Sequence, residues 1–246
     1  MSGTITAWGG SDAGLARENN EDAWSVDESL QAAILADGMG GENCGEVGSA
    51  VTIETVAEYL KAPDPDLTLE ELAKEAIRAA NRRVLEVARA RRDCDGMGST
   101  IVLALWRLPQ IVIANVGDSR GYIFRGGQLQ QVTYDQNFGN ELRSNLGLSE
   151  ERVQSMPDRN VLTMAVGTCE HILIRIHTET LRPADLVLIC SDGLHGPVDH
   201  ATLVDSLSGP GSLQEKVERL IVCANQNGGP DNVTVVLLEY RGESGV

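Results

Sequence analysis

Short apolar runs alternate with polar, glycine-rich stretches along most of the chain. Runs of this length bounded by turn residues are typical of strands. They predict strands at 22–26, 32–36, 101–106, 111–116, 122–124, 129–133, 172–176, 186–190 and 233–238. The turn residues Asp27-Glu28-Ser29 predict a hairpin between the first two strands. The four strands in the middle of the chain are predicted to form an antiparallel meander.

Apolar positions spaced three and four apart predict helices at 45–60, 68–87 and 212–225. The second of these helices has a capping-box signal, because Thr68 is followed three residues later by Glu71. Residues 136–160 are polar and glycine-bearing, with a short helix expected near 141–146. We interpret this stretch as a mobile surface insertion.

Composition limits the possible classes of protein. The chain has 246 residues, of which 42% are hydrophobic and 23% charged, and this balance excludes an intrinsically disordered chain. No linker-like stretch divides it, so a single domain over 1–246 is expected. The formal net charge of −16 argues against nucleic acid and anionic membranes as partners, and it favours a site that binds cations.

The cysteines and the N-terminus suggest a cytoplasmic protein. The cysteines are odd in number and none has C-x-x-C spacing: Cys44, Cys94, Cys169, Cys190 and Cys223. Reduced thiols are therefore expected rather than a disulfide framework or a zinc site. The first ten residues lack the basic and apolar regions of a signal peptide, and no apolar run is long enough to span a membrane.

Candidate chemistry lies where predicted strands end. Asp37, Asp118 and Asp192 each follow an apolar strand beside a glycine, and Asp231 precedes the last strand. A single Asp-Gly pair is most often only a turn. Several carboxylates that converge at strand ends repel one another unless cations hold them, and carboxylate oxygens without His or Cys favour Mg²⁺ or Mn²⁺.

Several acids in one place suggest two ions, which can hold one water between them and present it as hydroxide to a phosphorus centre. Glu21 and Asp22 add acids next to the first predicted strand. Arg17 offers a planar pair of donors for phosphate oxygens. A surface ion pair of Arg17 with Glu18 or Glu21 explains that residue equally well.

Seven segments resemble the type 2C metal-dependent Ser/Thr protein phosphatases (the PPM type), in the family's order and at its spacings. They are 11–14, 17–22, 36–41, 96–100, 115–120, 190–194 and 231–235. The resemblance covers about residues 8–239, and the Asp-Gly-Met-Gly-Gly variant at 37–41 resembles the bacterial branch. It implies an α+β fold, namely a four-layer αββα sandwich of two antiparallel β-sheets flanked by helices.

The same resemblance implies roles for individual residues. Two core ions, Mn²⁺ or Mg²⁺, are expected to share Asp37, and a third, weaker site is expected at Asp118 with Asp192. The resemblance also implies the Gly38 carbonyl as a ligand of one core ion, and Asp192 and Asp231 as ligands of the other. It implies that Glu21 and Asp22 order metal-bound water and that Arg17 binds the substrate phosphate. Ser191 and Asn232 are expected to support these groups. The stretch 136–160 is expected to be a flap that shapes the access of protein substrates.

Three positions depart from the family pattern. The family usually has His where this chain has Glu42, Gln136 and Met156. None of these positions is an expected metal ligand, so the departures bear on substrate contacts and on proton supply to the leaving group. We predict that Glu42→His speeds phosphopeptide cleavage more than aryl phosphate cleavage.

Other classes of enzyme fit the sequence less well. The G-x-S-x-G pattern at 117–121 lacks the helix that a serine-hydrolase elbow requires, and Cys190 lacks the arginine of a cysteine phosphatase, since residue 196 is Gly. A regulatory pseudophosphatase or a partner-switching regulator with little turnover remains the alternative. The expected function is hydrolysis of phosphoserine and phosphothreonine in proteins by a cytoplasmic monomer that opposes a Ser/Thr kinase.

Overall fold

A computed structural model describes residues 3–40, 44–94 and 96–242. Its strands are β1 (Gly3–Asp12), β2 (Asp22–Asp27), β3 (Ala32–Met39), β4 (Gly98–Ser99), β5 (Ile101–Arg107), β6 (Gln110–Val116), β7 (Arg120–Arg125), β8 (Gln128–Gln131), β9 (Arg175–Thr180), β10 (Leu186–Cys190) and β11 (Val233–Gly242). Its α-helices are α1 (Gly45–Lys61), α2 (Leu69–Ala90), α3 (Phe138–Leu146), α4 (Glu150–Gln154), α5 (Asp192–His195), α6 (His200–Ser208) and α7 (Leu213–Gln226).

The strands form two antiparallel sheets that pack face to face. One sheet has the order β1-β11-β10-β7-β8, and the other has the order β2-β3-β5-β6-β9, with β4 paired to β3. Leu35 and Val102 of one sheet meet Ile189 and Val236 of the other in a shared apolar core. Helices α1 and α2 cover the outer face of the second sheet, and α6 and α7 cover that of the first. The predicted four-layer αββα sandwich is confirmed.

Local signals in the sequence account for several of these elements. The hairpin of β2 and β3 forms as predicted, and the Asp27 carboxylate accepts the amides of Ser29 and Leu30 in its turn. The Thr68 hydroxyl accepts the amide of Glu71, whose carboxylate in turn accepts the Thr68 amide. This reciprocal bonding begins α2 where the capping box predicts it.

The predicted meander is wrong. Strands β5 and β6 pair in one sheet, whereas β7 and β8 pair in the other, so the chain crosses between the sheets directly after β6. Gly117 lies at this crossing with φ +96°, a conformation that favours glycine. A run of short strands and turns has the same pattern whether the next strand joins the same sheet or the facing one.

Several further elements differ from the prediction. Strands β1 and β4 and helices α4, α5 and α6 were not predicted, and β9 pairs with β6 over Arg175–Thr180 instead of 172–176. Strand β1 contains Gly9 and Gly10 and exposes Trp8, so its apolar alternation is weak, and its order comes from pairing with β11. The apolar residues Ile172 and Ile174 contact the core from the segment before β9, which explains the shifted prediction.

One pair of cysteines also contradicts the prediction. Cys44 and Cys94 form a disulfide, while Cys169, Cys190 and Cys223 are free thiols. Helices α1 and α2 pack against each other, which brings the residue before α1 close to the turn after α2. The partners are 50 residues apart, so short-range cysteine spacing could not reveal them. No helix within the described ranges is long and apolar enough to cross a membrane.

Candidate active site

The site begins at the end of β3, where backbone contacts fix Asp37. Asp37 lies opposite Asp22 in the antiparallel pair of β2 and β3. Its amide donates to Thr100 Oγ1 at 3.0 Å, and its carbonyl accepts the Thr100 amide at 2.8 Å. The Ser99 hydroxyl donates to the same carbonyl at 3.0 Å. These bonds hold the backbone of Asp37 independently of its carboxylate.

Two glycines allow the acid-bearing loops to approach closely. A Cβ on Gly38 would lie 1.9 Å from the carbonyl oxygen of Gly45, and a Cβ on Gly193 would lie 1.9 Å from that of Asn232. Both positions therefore exclude any side chain. The contact at Gly193 brings the segment after β10, which carries Asp192, against the segment before β11, which carries Asp231.

Asn232 ties the N-terminal loop to this junction. Its Oδ1 accepts the Glu21 amide at 2.8 Å, and its Nδ2 donates to the carbonyls of Ala13 and Asn19 at 2.9 and 2.8 Å. The Ser191 hydroxyl donates to Asp22 Oδ2 at 2.7 Å. The loop that carries Arg17, Glu21 and Asp22 is thereby held against the ends of β10 and β11.

The predicted residues converge on one cavity of about 460 Å³. Residues from both sheets line it, and those expected from the sequence are Arg17, Glu21, Asp37, Gly38, Asp118, Asp192 and Asp231. Asp22 is not among the lining residues and lies behind them with Ser191. Arg17 NH2 donates to Asp231 Oδ2 at 2.8 Å, and the Arg17 side chain is 52% exposed. Neither Glu18 nor Glu21 is its ion-pair partner.

Asp118 lies at the crossing between the sheets and is only 5% exposed. Asn137 Nδ2 donates to its Oδ2 at 3.1 Å. His195 Nε2 lies 3.1 Å from the Asp118 carbonyl oxygen, which can only accept, so Nε2 carries the proton. Burial, with a smaller contribution from the nearby Arg120, lowers the pKa of His195 to about 3, so the ring is neutral.

Burial and mutual repulsion favour protonation of the clustered acids. Burial raises the pKa of Asp22 and of Asp118 to about 7, and that of Asp192 to about 6. The pKa of Asp37 is raised well above its usual range by burial and by repulsion from Asp22 and Asp192. Burial also raises the pKa of Glu21. A cation among these groups favours their ionised forms.

The donor set fits hard divalent ions. The side chains expected as metal ligands, Asp37, Asp118, Asp192 and Asp231, are all carboxylates, and Asp22 Oδ1 is buried without a hydrogen-bond partner. Oxygen donors of this kind suit Mg²⁺ or Mn²⁺. In the described ranges, the ligand atoms of no three of these acids lie within 4.8 Å of one another. The group of three side chains that meets this spacing is Cys44, Asp93 and Cys94, of which the two cysteines form the disulfide. Arg17 is the cation that contacts Asp231 in this arrangement.

The departures from the family pattern have different outcomes. Gln136 is 2% exposed, accepts the Gly117 amide at 2.8 Å and donates to the Leu173 carbonyl at 2.7 Å. Both ends of this amide are engaged with backbone, so it holds the crossing rather than supplying a proton. Met156 lies after α4 and does not line the cavity. Glu42 lies outside the described residues, so its effect stays a prediction.

Two nucleophiles that the sequence suggested are buried and inert. The Ser119 hydroxyl is hydrogen-bonded to Thr100 Oγ1 at 2.7 Å, and a strand rather than a helix follows it. Burial raises the pKa of Cys190 to about 12. Neither position supports covalent catalysis.

Sequence reasoning missed the two polar side chains that hold Asp118. His195 was given no role, although it directly follows the Ser191–Leu194 motif, and that adjacency was the available signal. Asn137 lies in the segment treated as a mobile insertion. Its value as the N-cap of α3 is visible in the sequence, but its contact with Asp118 depends on the crossing after β6.

Comparisons with known proteins agree with this geometry. Residues 14–237 match the family model described as protein phosphatase 2C. The serine/threonine phosphatase stp of Listeria welshimeri is 36% identical over 234 residues, which cover 93% of each chain. The crystal structure of the Mycobacterium tuberculosis serine/threonine phosphatase PstP/Ppp has a TM-score of 0.89 at 34% identity, covering 97% of this chain and 99% of that one.

A second solved structure bears on the metal. The catalytic domain of the serine/threonine protein phosphatase PstP in complex with two manganese ions has a TM-score of 0.87 at 32% identity. It covers 98% of this chain and 100% of its own. The similarity therefore extends over both sheets and almost the whole sequence.

Proposed function

The chain belongs to the protein phosphatase 2C family and is a metal-dependent serine/threonine phosphatase, and we propose that the acids around Asp37 are its catalytic centre. The observation that carries this proposal is that Arg17, Asp37, Asp192 and Asp231 line one cavity together. A cation-binding set of acids beside one arginine is what hydrolysis of a phosphate monoester requires.

Each acid has a proposed role at this centre. Asp37 would hold both core ions, Mn²⁺ or Mg²⁺, with the Gly38 carbonyl as a further ligand of one of them. Asp192 and Asp231 would hold the other, and Asp118 with Asp192 would hold a third ion more weakly. When bound, the ions lower the pKa of a water molecule and neutralise charge on the phosphate.

Arg17 binds the substrate phosphate in this proposal. Its guanidinium pairs with Asp231 and remains half exposed at the cavity mouth, so it can exchange one oxyanion partner for another. Glu21 lines the cavity and can orient water by hydrogen bonding. Asp22 has one buried carboxylate oxygen, Oδ1, without a hydrogen bond, and this oxygen can accept a proton or a hydrogen bond.

A second cavity is an argument for a protein as the substrate. It has a volume of about 500 Å³, lies between the core and the helices α3 and α4, and shares Asp118, Asn160 and Asp192 with the first cavity. A small phosphate ester does not need this additional room. We propose that the flap at 136–160 directs the residues that flank a phosphoserine or phosphothreonine into it.

The biological setting follows from the same assignment. We propose a single catalytic domain over 1–246 that acts as a monomer in the cytoplasm and removes phosphate added by a Ser/Thr kinase. Neither nucleic acid nor a membrane is part of this function. The high negative charge of the chain supports partners other than nucleic acid and anionic lipid.

A peptide assay tests the proposed centre. We expect the chain to release phosphate from a phosphothreonine peptide with Mn²⁺, and Asp37→Asn to reduce that rate by at least about 100-fold because charge is removed from the ion site. The matched control is Asp199→Asn, which changes an exposed aspartate that caps α6. Full activity of Asp37→Asn, or an equal loss in Asp199→Asn, contradicts the assignment.

A further inference from the structure

Backbone hydrogen bonds join the two ends of the flap beside the proposed catalytic cavity. The Phe138 amide donates to the Val161 carbonyl at 2.8 Å, and the Thr163 amide donates to the Gln136 carbonyl at 2.9 Å. Asn137 lies between these bonds, opposite Leu162 in an isolated antiparallel bridge. The side chain of Asn137 is thus at the place where the flap joins the core.

Asn137 uses both ends of its amide. Its Oδ1 accepts the Asn140 amide at 3.0 Å and caps α3, the first flap helix. Its Nδ2 donates to Asp118 Oδ2 at 3.1 Å. An aspartate at this position has no donor, and a serine has a side chain one atom shorter. Asparagine is therefore the capping residue suited to both contacts at once.

Asp118 depends on Asn137 for the orientation of its carboxylate. Its main chain is held separately, because His195 Nε2 donates to its carbonyl oxygen. Among the described residues, Asn137 provides the side-chain hydrogen bond to the carboxylate itself. Arg120, two residues further along, is instead engaged in a bidentate pair with Asp135.

We propose that Asn137 is a positioning residue that couples the flap to Asp118, so that each holds the other in place. The role of Asp118 in this proposal rests on the proposed function. The consequence is reciprocal: loss of the Asp118 carboxylate loosens the flap, and loss of the Asn137 donor frees the carboxylate of Asp118.

Hydrogen exchange of the flap amides measures the coupling without using activity. The variants are Asn137→Ser, which keeps a good capping residue but shortens the donor, Asp118→Ala, and the double variant. We expect amides within 138–146 to exchange at least about threefold faster in each single variant, because the flap opens locally more often. The double variant should exchange no faster than the faster single variant, since both remove one bond.

Two matched controls isolate that bond. Asp231→Ala removes an acid from the same cavity whose carboxylate, within the described residues, is hydrogen-bonded to Arg17 and to the Asn232 amide rather than to the flap, and Asp199→Ser exchanges one capping residue for another on α6. Both should leave flap exchange unchanged. The coupling is refuted if Asp118→Ala does not change flap exchange, or if the two single effects add. If Asn137→Ser fails to fold, Asn137→Asp keeps the cap acceptor, lacks the donor and should show the same faster exchange.

Kinetics separates positioning from a general loss of structure. Asn137→Ser should raise KM for a phosphothreonine peptide at least about threefold and leave KM for p-nitrophenyl phosphate within about twofold, because only the peptide reaches the flap. Equal changes in KM for both substrates contradict the positioning role. A wild-type chain without phosphatase activity refutes the proposed function, while the exchange data still decide the coupling.

Discussion

The acids of the proposed centre and the flap differ in how the fold holds them. Asp37, Asp192 and Asp231 lie at or next to the ends of core strands, where backbone pairing and two close glycine contacts fix their loops. The flap joins the core through backbone bonds at its base, among them the Gln136 amide to the Gly117 carbonyl, and through side-chain amides that include those of Gln136, Asn137 and Asn140. The loops of the proposed centre are therefore fixed mainly by backbone contacts, whereas the flap also depends on individual side chains at its base.

The largest expected effect is at the centre. Asp192→Asn should lower kcat for both p-nitrophenyl phosphate and a phosphopeptide by at least about 100-fold, since it removes a charge that holds an ion at the transition state. Steady-state kinetics at saturating Mn²⁺ measures this. A loss confined to the peptide substrate would place Asp192 with the flap instead.

Gln136, which holds the backbone at the crossing between the sheets, should affect stability rather than catalysis. Gln136→Leu leaves the Gly117 amide and the Leu173 carbonyl without their partner, which should lower the free energy of unfolding by about 2 kcal/mol. Urea denaturation measures this change. Gln130→Leu, an exposed change on β8, is the matched control and should stay within about 0.5 kcal/mol.

The strand-end acids could be predicted from sequence because an apolar run followed by Asp and Gly identifies both the strand and its end. The helix cap at Thr68 and the hairpin before β3 are local in the same sense. The contact between Asn137 and Asp118 is not local, since it depends on the chain crossing to the other sheet after β6. The disulfide of Cys44 likewise depends on helix packing.

An intermediate effect is expected at the junction of the two regions. Asp118→Ala should leave the two core ions in place and lower kcat by about tenfold, because it removes only the weaker third site. Calorimetric titration with Mn²⁺ measures how many ions bind and how tightly. Loss of the tightly bound ions in this variant would show that Asp118 belongs to the core set.

The pH dependence of stability should be a smaller effect than the changes in kcat, and it should come from the acids rather than from the flap. Asp22, Asp118 and Asp192 have folded-state pKa values of about 6 to 7, above the value of about 4 for an unfolded carboxyl group. The folded state therefore binds more protons between these values, and this contribution to stability is lost as the pH rises from about 4 to about 7.

Melting temperatures test the sign of this pH dependence. Without divalent ions, the melting temperature should fall by a few degrees between pH 5 and pH 8, and Mn²⁺ should raise it more at pH 8 than at pH 5. Asp118→Asn should flatten the metal-free dependence, because one of the titrating groups is gone. A melting temperature that rises with pH without metal would contradict the raised pKa values.

The central claim is that the acids around Asp37 hold the ions that this phosphatase requires. Anomalous diffraction from crystals soaked in Mn²⁺ tests it most directly. The account predicts two strong peaks within about 2.2 Å of the Asp37 carboxylate, one of them also adjacent to Asp192 and Asp231. Strong peaks elsewhere, with the Asp37 oxygens uncoordinated, would contradict it.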